Sequence, residues 1–150
     1  ASETGTPIDT FAGHAAAVGR AGELLRARGA KRVLPLPVSA PFHSPLMVPA
    51  REGLRPVLAA LAFADLAVPL YSNVDASPAA AGGVVREGLV RQVDAPVRWV
   101  ELVQRMVGDG FDTFVEVGPG SVLSGLVRRI AGGAKTVQVG TADQVGSYLG

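Results

Sequence analysis

The chain has 150 residues, 48% of them hydrophobic and 18% charged, with 19 glycines, 11 prolines and a formal net charge of +1. That length makes one ordinary domain or a piece of a larger one, and the composition is globular rather than disordered. The small charge supplies no phosphate-neutralising footprint, five Phe, two Tyr and one Trp offer little stacking surface, and no apolar run nears the roughly 20 residues of a membrane span, so neither nucleic acid nor membrane is an expected partner. Cysteine is absent, which removes disulfides and thiolate nucleophiles and fits a reducing, cytoplasmic setting. The two histidines, His14 and His43, have no recognised metal-ligand spacing. The sequence opens on Ala1 with no basic segment leading into an apolar one, and it reads as a fragment rather than a precursor.

Residues 1–10 are small and polar. Val18, Ala21, Leu24 and Leu25 recur at helical spacing and predict a helix over 14–28, stopped by Gly29. Residues 32–38 predict an apolar strand punctuated by proline. A second helix is expected over 47–61, with Leu54, Val57, Leu58 and Leu61 on one face and Pro56 kinking or breaking it. A strand over 68–74, a loop of small residues over 76–83 and a helix over 84–93 follow. Pro96 sits near the start of a helix over 97–107, which Gly108-Asp109-Gly110 ends. Residues 113–117 predict a buried-type strand, Gly118-Pro119-Gly120 a turn, and 122–130 a helix with Arg128 and Arg129 in its electrostatically favoured last turn. A strand over 136–139 and a partial helix close the pattern. Strands alternating with helices imply an α/β fold with a mainly parallel sheet, and there is no internal repeat.

His43 lies in the segment Pro37-Val38-Ser39-Ala40-Pro41-Phe42-His43-Ser44-Pro45-Leu46-Met47, between a strand-like and a helix-like run. An imidazole can take and return a proton near neutrality, so His43 is a candidate general acid or base. On residue type alone a structural histidine is an equal reading. Pro41 and Pro45 restrict the residues on both sides of it, a preorganisation that a surface residue does not require.

Glu116-Val117-Gly118-Pro119-Gly120-Ser121 could offer backbone N–H groups to an anion, but it lacks the Gly-Lys-Ser/Thr of a P-loop and the third glycine of a dinucleotide fingerprint, and it reads first as a structural turn. Glu116 itself reads as a hydrogen-bonded structural carboxylate. Gly13-His14-Ala15 has the front of a nucleophile elbow with alanine at the nucleophile, and no Gly-x-Ser-x-Gly occurs in the sequence. Asn73 and Asp75 read as turn chemistry. Arg26, Arg28, Lys31 and Arg32 form the densest basic patch, either a solvated helix end or a surface for an acidic protein.

Three motifs in order, residues 35–47, then Val90-Arg91-Gln92 with Pro96-Val97-Arg98-Trp99, then Glu116-Val117-Gly118-Pro119-Gly120 with Leu123 and Gly125-Leu126, resemble the C-terminal half of bacterial malonyl-CoA:acyl carrier protein transacylases. The resemblance runs from about Phe11 to about Val139; acyltransferase domains of polyketide synthases share the layout. It implies an α/β-hydrolase-like large subdomain over 34–150 and, over 1–33, the tail of a small ferredoxin-like one. It further implies that His43 is the general base for a serine nucleophile and that the main-chain carbonyl of Gln92 orients the imidazole. Phe42 would wall a malonyl-sized pocket against a branched substrate. The substrate would be a coenzyme A thioester and the partner acyl carrier protein, met by Arg26, Arg28, Lys31 and Arg32. No metal or redox cofactor is implied. The family's elbow serine, its carboxylate-gripping arginine and its Gly-Gln-Gly segment have no counterpart in these 150 residues, and residues 1–10 depart from the family pattern. The chain alone is therefore expected to be inactive. A non-catalytic α/β anion-binding module is the alternative from another class.

Overall fold

The computed structural model describes residues 11–149, so the polar segment 1–10, with its departure from the family pattern, lies outside the described residues. The described elements are helix α1 (Ala15–Ala27), a 3-10 turn (Pro45–Met47) leading into α2 (Val48–Ala59), strands β1 (Leu70–Ser72) and β2 (Ser77–Ala79), α3 (Gly82–Gln92), α4 (Trp99–Gly108), β3 (Thr113–Val117), α5 (Val122–Ile130), β4 (Lys135–Val139) and α6 (Ala142–Leu149). They form an α/β fold of helices and two small sheets.

The chain divides into two compact units. One comprises residues 11–70 and 79–97 and holds α1, α2 and α3. Its first helix ends as sequence chemistry dictates. Gly29 takes φ +92, a left-handed conformation open to glycine, while its N–H reaches Arg26 O and that of Ala30 reaches Leu25 O, the paired bonds of a Schellman motif. The helix α2 packs on α3, and Arg55 pairs with Glu87 across them at 3.1 Å. Val85 and Val90 of α3 are buried.

The strand expected over 32–38 does not form. Pro35 and Pro37 remove two ladder donors, and the Val38 N–H turns back to Leu36 O at 2.9 Å instead of pairing with a neighbour. Pro56 does not break α2 either: the helix continues to Ala59 and packs on α3.

The other unit comprises residues 71–78 and 98–149. The strands β3 and β4 pair in parallel, Thr113 opposite Lys135 through Val117 opposite Val139, with α5 as the crossover. Leu102 and Val103 of α4, Val127 of α5 and Val139 of β4 are its buried apolar residues. The small sheet of β1 and β2 replaces part of the expected 76–83 loop, and its four-residue connection forces an antiparallel hairpin.

Many large apolar side chains stay exposed. Val117 is 79% accessible, Val68 74%, Val122 72% and Leu34 62%, values far from those of a finished core.

Candidate active site

The loop carrying His43 is rigid for reasons readable atom by atom. Ser44 is buried and its hydroxyl donates to Pro41 O at 2.7 Å, closing the turn around the histidine. The Ser44 carbonyl accepts the Met47 N–H at 2.9 Å, which starts the 3-10 turn that runs into α2. His43 itself sits at φ +58, a left-handed conformation uncommon outside glycine.

From that position the ring meets α3. His43 Nδ1 lies 3.0 Å from the main-chain oxygen of Gln92, the last residue of the helix. Helix ends leave their final carbonyls unpaired, so an acceptor is available there. A carbonyl only accepts, hence the contact puts the proton on Nδ1 and leaves Nε2 of the neutral ring as a lone pair. His43 is an exposed residue. The side chain of Gln92 folds back, its Nε2 donating to Ala95 O at 3.3 Å.

An ion pair holds the two elements in register. Arg51, in the first turn of α2, bonds Asp94 at 2.8 Å, just past the end of α3, and the Asp94 side chain is only 15% accessible. These two residues carried no sequence signal, because a pair separated this far shows no local pattern.

Other candidates fall in different places. Phe42 is exposed beside His43. Arg26, Arg28, Lys31 and Arg32 are all exposed at the C-terminal end of α1 and the turn after it, with Arg26 also donating to Val33 O at 3.2 Å. Asn73 and Asp75 belong to the second unit, where the Asn73 carbonyl accepts the Arg98 N–H at 3.2 Å and the Asp75 carbonyl accepts from the Arg98 guanidinium, also at 3.2 Å. Arg98 in turn pairs with Glu101.

Glu116 closes the anion-binding alternative. Its carboxylate accepts the Leu123 N–H at 3.1 Å and the Ser124 N–H at 2.8 Å, so the open end of α5 already holds an anion from its own chain. The Ser124 hydroxyl, then the Ser124 and Leu123 N–H groups, hold this carboxyl below the usual glutamate range despite desolvation; that hydroxyl lies close to the carboxylate but outside good hydrogen-bond geometry. The adjoining cleft of about 100 Å³ is walled largely by apolar side chains, Trp99, Phe114 and Leu123 among them.

No protein-family model matches the sequence. The chain is 42% identical over 135 residues to the malonyl CoA-acyl carrier protein transacylase of Bacillus subtilis (strain 168), covering 90% of this chain and 43% of that protein. It is 48% identical over 120 residues to the protein of that name from Escherichia coli (strain K12), covering 80% and 39%. Among solved structures, the acyl-carrier-protein-S-malonyltransferase of Bartonella henselae superposes with a TM-score of 0.85 at 41% identity, over 90% of this chain and 43% of that one. A type II polyketide synthase acyl-carrier protein in complex with its malonyl-transacylase gives 0.82 at 41% identity, over 87% and 43%. Fold and sequence thus agree on an α/β protein similar to these malonyl-transferring enzymes. Over 80–90% of its length the chain is similar to malonyl CoA-acyl carrier protein transacylases, and it spans about two fifths of the length of the curated relatives it matches.

Proposed function

We propose that this chain carries the general-base half of an enzyme that moves malonyl from coenzyme A to the phosphopantetheine thiol of acyl carrier protein. The observation that carries this reading is the 3.0 Å contact between His43 Nδ1 and Gln92 O, which commits the ring to one tautomer. His43 Nε2 takes the proton of a serine hydroxyl supplied from outside these 150 residues, and the alkoxide attacks the thioester carbonyl. The tetrahedral intermediate collapses, the C–S bond breaks, and the imidazolium returns its proton to the departing coenzyme A sulfur. In the second half the carrier thiol gives its proton to His43 and attacks the serine ester, and the serine leaves as the hydroxyl. Every proton is accounted for by one imidazole, so the cycle calls for no metal or redox cofactor.

Phe42, adjacent to the base, is the wall that favours malonyl over a branched analogue. Arg26, Arg28, Lys31 and Arg32 are the surface for the acidic carrier. Residues 34–150 belong to an α/β-hydrolase-like subdomain and 1–33 to the tail of a ferredoxin-like one. The carrier can serve fatty acid or polyketide synthesis, since the chemistry is the same. The occupied end of α5 weighs against a non-catalytic anion-binding module.

The test is radiolabelled malonyl transfer by the full-length protein. His43→Ala should lower the rate by about 10³-fold, and the 150 residues alone should transfer nothing. Full activity in the variant, or transfer by the chain alone, would overturn the reading. For the basic patch, replacing Arg26, Arg28, Lys31 and Arg32 by Glu should raise the carrier KM about tenfold at low salt and flatten its salt dependence. Unchanged values would remove the patch from the docking surface.

A further inference from the structure

The carbonyl that faces His43 is free because of a residue four positions on. The helical bonding of α3 runs past its last residue: the Ala95 N–H still reaches Arg91 O at 3.1 Å. The next bond of that series would run from the N–H of residue 96 to Gln92 O, and residue 96 is proline, which has no N–H. Proline also drives the preceding residue, Ala95, out of the helical region, so the chain leaves the helix at this step. Gln92 O therefore loses its intrahelical donor and accepts from His43 Nδ1 instead.

We infer that Pro96 is a positioning residue: by withholding a backbone donor it reserves the Gln92 carbonyl for His43 and so sets the tautomer of the ring. Two features of the turn keep that carbonyl presented. Gln92 Nε2 bonds Ala95 O at 3.3 Å across the turn, and Arg51 holds Asp94 from α2 at 2.8 Å. Pro96 touches neither substrate nor the reacting atoms, and its effect is carried wholly through Gln92. The functional weight of the inference rests on the reading of His43 as a base.

The test separates the missing N–H from the proline ring. In Pro96→Ala the residue regains an N–H that competes for Gln92 O. In a second variant residue 96 is lactic acid, introduced as a backbone ester, which lacks both the ring and the N–H. The chain is labelled with 15N in histidine, and the His43 ring nitrogens are read by NMR at a pH where the ring is neutral, with His14 as the internal control. Pro96→Ala should lower the ratio of Nδ1–H to Nε2–H tautomer by about threefold, the weight of one ordinary hydrogen bond, while the ester should keep the parent ratio. An ester that loses the ratio, or an alanine variant that keeps it, overturns the inference. If Pro96→Ala does not fold, the ester alone decides. The readout involves no turnover, so a negative result here leaves the assignment of His43 as base to be judged by the transfer assay.

Discussion

His43 holds a left-handed backbone, φ +58, at the position whose side chain bonds Gln92. For a residue with a Cβ that conformation costs about 1 kcal/mol, a strain that glycine would not feel. His43→Gly and His43→Ala both lose the imidazole contact, so their difference isolates the backbone. The glycine variant should be the more stable in urea unfolding by about 0.5 kcal/mol, the strain relieved less the loss glycine incurs through its unfolded state. A less stable glycine variant would mean the loop relaxes at no cost. The site was unevenly legible at this scale. His43 stood out because two prolines bracket a titratable side chain. Gln92 acts through a carbonyl, which every residue possesses, and only family resemblance singled it out; the local clue was the proline four residues later. Arg51 and Asp94 gave no clue, since their pairing is made by the packing of α2 on α3.

The strand–turn–helix unit of β3 and α5 was read well because each of its signals is local: an apolar run, Gly118-Pro119-Gly120, then helical periodicity. The expectation for 32–38 failed because a strand exists only through its partner, and proline removes the donors a partner would use. The strand expected over 68–74 contains β1, whereas β2 was missed, being three residues long with Pro78 inside it. Glu116 of β3 binds the N-terminal end of α5, and its carboxyl is held below the usual range by the Ser124 hydroxyl and the N–H groups of Ser124 and Leu123. A depressed folded pKa means the stabilisation is complete above the ordinary glutamate value and is lost as pH falls through the folded one. Glu116→Gln should therefore unfold at lower urea than the parent at pH 7, with a deficit that shrinks once both are taken below about pH 4. Equal pH profiles for the two proteins would show that the cap contributes nothing.

At the scale of the molecule, the exposed apolar faces and the two-fifths coverage of its relatives point the same way. We expect the part of the Bacillus subtilis relative that this chain does not match, produced separately, to cover those faces. Mixing the two should give a 1:1 complex on size exclusion and lower the chain's binding of an apolar dye; two separate peaks with unchanged dye binding would exclude that arrangement. The pairing of His43 with Gln92 adds a practical consequence. The two residues are 49 positions apart in sequence yet lie within one compact unit, so their bond closes only when the intervening elements have folded. The carbon-bound ring protons of His43 do not exchange with water, and their resonance shifts as that bond forms. That one signal would report the folded fraction of the unit during refolding, complementation or ligand titration, with no dye or label attached.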